Sequence, residues 1–140
     1  MDFSKKHKVI KCKEPNDSDF KVCCLFKSKN AYDAYDKARK NLELVEQYGS
    51  RCNGHRLHTS DGGERWLARC NCCGSFVLVQ ESEVWGSDSE YYDYFPVKSI
   101  EHARWLNKQY DGYAIEDYYP YKKLFVTNSM PNFRDFYIKY

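Results

Sequence analysis

The chain has 140 residues, of which 42% are hydrophobic and 30% charged, which excludes a disordered tail and a large multidomain enzyme. The net charge of +2 conceals an uneven distribution, because residues 81–121 carry a net charge of −6 between basic ends. Two features are unusual for this length: an aromatic content of 17% and the presence of 7 cysteines.

The first predicted elements are two strands, 8–13 and 20–27, joined by a turn at Pro15. Cys23 and Cys24 belong to the second apolar run and are interpreted as core residues. From Asn30 the apolar residues recur at steps of three and four, which predicts an amphipathic helix that begins at an Asn30 cap and ends at Gly49.

The second half of the chain is predicted to alternate between strands and one helix. A hairpin turn is expected at 61–63, followed by strands at 66–69, 75–80 and 91–97. A helix capped by Ser99 comes next, then strands at 113–118 and 122–127, and the residues after Pro131 are expected to form a short helix or a docked tail. The prediction is one α+β domain, 1–140, with an antiparallel sheet and two main helices.

Two pairs of metal-ligating residues stand out in the middle of the chain. Cys52 and His55 are spaced as Cys-x-x-His, and Cys70 and Cys73 as Cys-x-x-Cys followed by Gly74. A gap of two residues lets a tight turn direct both side chains at one ion, and four N and S ligands favour tetrahedral Zn(II). One structural zinc per chain is therefore predicted.

The choice of ligands has two alternatives. His58 can replace His55, and Cys72 lies inside the second pair, where it is interpreted as a bystander. Cys12, Cys23 and Cys24 are assigned as ordinary thiols. An odd number of cysteines favours metal ligands and free thiols over a disulfide framework.

The segment 50–83 resembles the zinc-ribbon superfamily. Cys70, Cys73 and Gly74 match the second knuckle of that family, whereas His55 stands where the first knuckle usually has a cysteine. The resemblance implies a small three-stranded module around one structural zinc, embedded in the single domain. It covers no other part of the chain.

The sequence favours a protein that is not an enzyme. It contains neither an HExxH nor an HxE…PCxxC pattern and no phosphate-binding glycine loop, and four ligands would leave a zinc without an open position. A small nuclease that uses His58 and His102 is the third hypothesis for function. The start of the chain shows no apolar signal segment, and a cytoplasmic location is expected.

Aromatic residues are concentrated in the acidic block, where they suggest a binding surface or, alternatively, a partly buried core. The candidate partner-binding residues are Trp85, Glu90, Tyr91, Tyr92, Asp93 and Tyr94. Acidic groups beside tyrosine repel phosphate, so a larger protein or ribonucleoprotein is the expected partner, as for a phage-type inhibitor such as an anti-CRISPR protein. The alternative is a zinc-ribbon nucleic-acid-binding protein that uses basic residues of the first 70 positions.

Overall fold

The computed structural model describes residues 21–50, 60–84, 90–110, 115, 122–127 and 130–134. A short 3-10 helix spans Cys24–Lys27. The remaining elements, in chain order, are α1 Ala31–Asn41, β1 Leu42–Ser50, β2 Ser60–Gly62, β3 Glu64–Cys70, β4 Phe76–Val84, β5 Glu90–Val97, α2 Ile100–Gln109, β6 Lys123–Thr127 and β7 Met130–Arg134. The predicted strand 8–13, most of 113–118 and the chain after 134 lie outside the described residues.

The strands form one antiparallel sheet in the order β1-β3-β4-β5-β6-β7, and the short strand β2 pairs with the end of β4. The expected α+β fold with an antiparallel sheet and two helices is confirmed for these residues. The predicted strands at 66–69, 75–80, 91–97 and 122–127 are confirmed as parts of β3, β4, β5 and β6.

Both faces of the sheet are covered by a hydrophobic core. On one face Ala34 and Ala38 of α1 pack with Val77 and Val79 of β4, and we call this cluster the α1-side core. On the other face Leu106 of α2 packs with the opposite side of the sheet. Side chains alternate between the two faces of a strand, so consecutive residues of each central strand contribute to different cores. This arrangement explains why the central strands are apolar on both sides.

The long helix predicted from Asn30 to Gly49 is wrong in its second half. Its start is confirmed, because Asn30 Oδ1 accepts a hydrogen bond from the Asp33 N–H at 2.9 Å. The helix ends at Asn41, however, and Leu42–Ser50 pairs with β3 as an edge strand of the sheet that the described residues form. Register shifts follow Leu44 and Gln47 in this strand, and they interrupt the strict alternation by which a strand is recognised in a sequence.

Two further sequence predictions fail for tertiary reasons. Residues 24–27 of the predicted strand 20–27 form a 3-10 helix, because a short run of adjacent apolar residues fits a buried helical turn as well as a strand. Residues Met130–Arg134 form the edge strand β7, paired with β6, instead of a short helix or docked tail.

The predicted hairpin turn at 61–63 is a break between two strands that share the neighbour β4. Ser60 of β2 lies opposite Val84, and Arg65 of β3 lies opposite Gln80. Gly63 sits between them with φ +132°, and a Cβ atom there would lie 1.9 Å from the carbonyl oxygen of Glu81. Glycine therefore allows the chain to continue along β4 at close approach instead of reversing direction.

Candidate metal centre

Four cysteine sulfurs from two distant segments meet at one end of the α1-side core. The Sγ atoms of Cys23, Cys24, Cys70 and Cys73 all lie within 4.8 Å of one another. The Cys23 and Cys73 sulfurs are 3.6 Å apart, and those of Cys24 and Cys70 are 3.9 Å apart. This cluster can hold a metal ion.

The spacing of the sulfurs suits a common ion better than disulfide bonds. Four sulfurs placed tetrahedrally at ~2.3 Å from one zinc ion are separated from each other by ~3.8 Å. The two measured separations, 3.6 and 3.9 Å, fall on either side of that value. A disulfide requires ~2.05 Å, and all four cysteines are free thiols.

The turn between β3 and β4 positions the second pair of cysteines. Cys70 is the last residue of β3, and its N–H donates to the carbonyl oxygen of Ser75 at 2.9 Å. The Gly74 N–H donates in turn to the Cys70 carbonyl oxygen at 2.8 Å, and Gly74 has φ +80°, a conformation that favours glycine. The Cys-x-x-Cys-Gly sequence thus closes a tight turn, as its spacing predicts.

The first pair of cysteines is carried by the turn that precedes α1. Cys23 precedes the 3-10 helix and accepts a hydrogen bond at its carbonyl oxygen from the Phe26 N–H at 3.0 Å. The β3–β4 turn is also attached to the end of α1, because the Asn71 N–H donates to the Asn41 carbonyl oxygen at 2.8 Å. The cluster therefore joins the segment before α1 to the turn that touches its end.

The surroundings of the sulfurs differ in the two pairs. Burial raises the pKa of the Cys23 thiol well above its usual range, and burial with a hydrogen bond to Cys70 raises the pKa of Cys24 to about 12. Burial also acts on Cys73, but hydrogen bonds from the backbone N–H groups of Cys24 and Ser75 outweigh it and lower its pKa to about 6. Donors of this kind stabilise a thiolate, the form in which cysteine binds a metal.

The structure brings together only half of the predicted ligand set. Cys70 and Cys73 lie in the cluster, while Cys52, His55 and the alternative His58 fall outside the described residues. Cys72 is exposed and does not belong to the cluster, as expected of a bystander. The zinc-ribbon hairpin, which requires the first knuckle, is not confirmed.

Cys23 and Cys24 were missed as site residues by the sequence analysis. Their assignment to the core is correct for Cys23, which is fully buried, and Cys24 packs against the same core. Their assignment as ordinary thiols does not anticipate that both sulfurs face Cys70 and Cys73. Two adjacent cysteines carry no spacing typical of a metal ligand pair, so no local signal in the sequence marks them as ligands.

The predicted partner-binding residues are partly interior. Asp93 is only 6% exposed and forms an ion pair with Lys123. Its burial agrees with the alternative of a partly buried core and not with an exposed binding surface. Tyr92 and Tyr94 pack against the α1-side core, and burial raises the pKa of Tyr94 above its usual range. Tyr91 is half-buried and stacks on Phe125, with ring centroids 5.5 Å apart. Trp85 and the side chain of Glu90 lie outside the described residues.

Comparison with known proteins gives no match: neither a protein-family model, nor a curated protein, nor a solved structure is similar to this chain at a significant level. Among the helices of the described residues, none has the length and apolar character needed to cross a membrane.

Proposed function

We propose that this chain is a non-catalytic binding protein whose fold is held together by one structural zinc ion. The observation that carries the proposal is the convergence of four cysteine sulfurs within 4.8 Å. Four thiolates fill the tetrahedral shell of zinc, whereas a catalytic zinc has three protein ligands and an open position for water. A site of this composition stabilises a fold and does not activate a substrate.

The donor set restricts the metal to zinc or iron, of which we propose zinc. Four sulfur ligands in a tetrahedral arrangement are typical of zinc and of iron, and exclude the oxygen-seeking ions magnesium and calcium. In this position the ion would fix the 3-10 helix, and with it the start of α1, to the β3–β4 turn. A domain of 140 residues gains stability from such a cross-link.

The experiment is metal analysis of protein purified without chelator, followed by replacement of the metal with Co(II). We expect one zinc per chain and a cobalt spectrum typical of four thiolate ligands. Addition of azide or imidazole should leave that spectrum unchanged, because a closed site has no position for a fifth group. A spectrum that shifts with either ligand would indicate an open, catalytic type of site and contradict the proposal.

The proposed partner is another macromolecule, a protein or ribonucleoprotein. Support comes from large apolar side chains that remain exposed in the described residues: Tyr32, Leu44, Val45 and Met130. Leu44 and Val45 lie on the edge strand β1, and exposed apolar groups of this kind are used at protein interfaces. A phage-type inhibitor such as an anti-CRISPR protein is one form of this function, supported by the small size of the chain and by the acidic block 81–121, which is rich in aromatic residues.

Nucleic acid is the second candidate partner, and one observation favours it. Lys21, Lys27 and Arg69 are exposed and flank the cysteines of the cluster in sequence. Arg69 Nε also donates to the Gly74 carbonyl oxygen at 3.4 Å, which places its guanidinium beside the β3–β4 turn. Basic groups around a metal-bound turn can contact phosphates.

A salt titration separates the two candidate partners. Binding to nonspecific RNA and duplex DNA is measured at increasing salt for the native chain, for Lys27→Glu with Arg69→Glu, and for the control Lys40→Glu on α1. Steep salt dependence that is lost in the first variant and kept in the control would establish the nucleic-acid function. The protein-partner function predicts weak binding that is equal in all three proteins.

A further inference from the structure

Within the cysteine cluster, each close sulfur pair joins the same two segments of the chain. Cys23 pairs with Cys73 at 3.6 Å, and Cys24 pairs with Cys70 at 3.9 Å. Each contact therefore connects the segment before α1 to the β3–β4 turn, across 50 and 46 positions of sequence. Both pairs need to approach by less than ~2 Å to reach the ~2.05 Å of a disulfide bond.

Each pair also combines a partly exposed cysteine with a buried one. Cys73 and Cys24 are partly exposed, whereas Cys23 and Cys70 are buried. An oxidant in solution reaches the accessible member first, and the buried member lies next to it. This is the arrangement of a cysteine that reacts with the peroxide and a resolving cysteine that then forms the disulfide with it.

We propose that the cluster is an oxidative modification site at which a peroxide forms the disulfides Cys23–Cys73 and Cys24–Cys70, replacing a metal cross-link by a covalent one between the same segments. In each pair, the sulfur of the partly exposed cysteine, once deprotonated, attacks the peroxide O–O bond and gives a sulfenic acid. The hydroxide or alkoxide that leaves takes up a proton to form water or an alcohol. The buried thiol then attacks the sulfenic sulfur, forms the S–S bond and releases water. Two electrons pass from the two sulfurs to one peroxide molecule.

In the metal-bound protein the same two-electron step starts from thiolates. One peroxide accepts two electrons from a thiolate pair, which becomes one disulfide. The peroxide takes up two protons from the solvent and leaves as two waters, or as one water and one alcohol. Loss of two thiolates removes half of the metal ligands, so the ion is released. A dithiol reverses the change by exchange with the disulfide. The metal release rests on the proposed zinc site, whereas the pairing of the sulfurs does not.

Peptide mapping after hydrogen peroxide treatment tests the pairing. Trypsin cleaves after Lys21, Lys27, Arg69 and Lys98, so Cys23 and Cys24 fall in peptide 22–27, and Cys70, Cys72 and Cys73 in peptide 70–98. We expect the two peptides to be recovered as one disulfide-linked species that dithiothreitol separates. An internal disulfide within 70–98 with peptide 22–27 free, or sulfinic acids without a link, would overturn the proposal.

Three variants assign the individual bonds. Cys24→Ser with Cys70→Ser leaves only the pair Cys23 and Cys73, and Cys23→Ser with Cys73→Ser leaves only the pair Cys24 and Cys70, so each double variant should still give a single cross-segment link. Cys72→Ser is the matched control, because Cys72 is exposed and outside the cluster, and it should give the same links as the native chain. A link that survives only when Cys72 is present would contradict the assignment.

Metal release is measured in parallel with a zinc indicator. We expect zinc to appear at the rate at which the linked peptide forms and to be taken up again after dithiothreitol. Linked peptide without any released zinc would leave the pairing intact and count against the proposed zinc site. Zinc release without linked peptide would support the metal site and overturn the disulfide proposal.

Discussion

The Nζ atom of Lys123 lies 2.9 Å from Oδ1 of Asp93, and the two side chains are only 13% and 8% exposed. The other carboxylate oxygen accepts a hydrogen bond from Gln80 Nε2 at 3.1 Å, and Gln80 Oε1 accepts one from Arg65 at 2.9 Å. Arg65 also donates to Asn107 of α2 at 2.9 Å. A polar row therefore crosses strands β3 to β6 and attaches α2 to the sheet.

Asp93→Asn should destabilise the protein strongly. The substitution keeps the shape of the side chain but leaves the almost buried ammonium of Lys123 without its counter-charge, which costs about 3–5 kcal/mol in the free energy of unfolding. Urea denaturation of the metal-loaded protein measures this cost. A double variant with Lys123→Met should recover part of it, because the buried ammonium is then absent.

Asp36→Asn is the matched control for that experiment. Asp36 pairs with Lys40 at 3.1 Å on the exposed side of α1, where the side chains are 48% and 71% exposed. Solvent screens such a pair, and we expect a change below ~1 kcal/mol. Equal effects of the two substitutions would show that the polar row does not stabilise the fold through its charge pair.

Metal binding should depend on Cys23 and Cys24 rather than on Cys52 and His55. Cys23→Ser and Cys24→Ser each remove one sulfur of the cluster, and zinc affinity should fall by more than the ~10–100-fold typical of losing an outer hydrogen-bonding partner. Competition with a chromophoric chelator gives the affinity. Cys52→Ser and His55→Ala test the ligand set predicted from sequence.

The exposed Cys72 provides the control for those variants. Cys72→Ser should bind zinc as the native chain does. Retention of zinc by Cys23→Ser and Cys24→Ser, with loss in Cys52→Ser and His55→Ala, would assign the zinc to the ribbon ligands and contradict the cluster.

Gly63→Ala should be among the most harmful single substitutions. The new methyl group would lie 1.9 Å from the Glu81 carbonyl oxygen, so β2 or β4 has to move. We expect a loss of about 3 kcal/mol or more in the free energy of unfolding. Gly49→Ala is the control, since its φ of +83° is also strained but no atom lies within 4 Å of the added Cβ, and its cost should stay near ~1–2 kcal/mol. Equal losses would show that the contact with Glu81 has no part in the effect.

The helix caps give a milder and separable effect. Asn30 accepts from the Asp33 N–H at 2.9 Å, and Ser99 Oγ accepts from the His102 N–H at 3.0 Å. Asn30→Ala and Ser99→Ala should each cost about 0.5–2 kcal/mol, measured by thermal or urea unfolding. Replacement by glycine should cost only a few tenths of a kcal/mol. An alanine variant as stable as the native chain would disprove the capping role.

The ion pair between β1 and α2 should leave a signature at acid pH. Arg104 donates to both carboxylate oxygens of Glu46, at 2.8 and 2.9 Å, and these hydrogen bonds lower the Glu46 pKa from 4.5 to about 2. A lowered pKa in the folded state adds stability above pH 4.5 that is lost as the pH falls towards 2.

Comparison with Glu46→Gln isolates this contribution. The native chain should be the more stable of the two at pH 6, and the difference should shrink as the pH falls below 4.5. Loss of metal at low pH affects both proteins equally and cancels in the difference. Added salt should reduce the difference at pH 6, because Arg104 is exposed and solvent screens the pair. A difference that stays constant with pH would contradict the assigned role of Glu46.

Local signals in the sequence determined much of the fold. The caps at Asn30 and Ser99 were recognisable because a side-chain oxygen satisfies free N–H groups next to it in the chain. The tight turn at Cys70, Cys73 and Gly74 was recognisable for the same reason, since its ligand spacing and its glycine are neighbours in sequence. Local residue patterns at 66–69, 75–80, 91–97 and 122–127 likewise predicted the strands β3 to β6.

Only the tertiary structure decided which groups meet across the chain. Cys23 and Cys24 join Cys70 and Cys73 because α1 lies on one face of the sheet and brings the segment before it to the β3–β4 turn. Asp93 is interior because Gln80 and Lys123 lie beside it on neighbouring strands. Such contacts join residues that are distant in sequence, so they cannot be predicted from the spacing within a single motif. They depend on how the helices pack on the sheet.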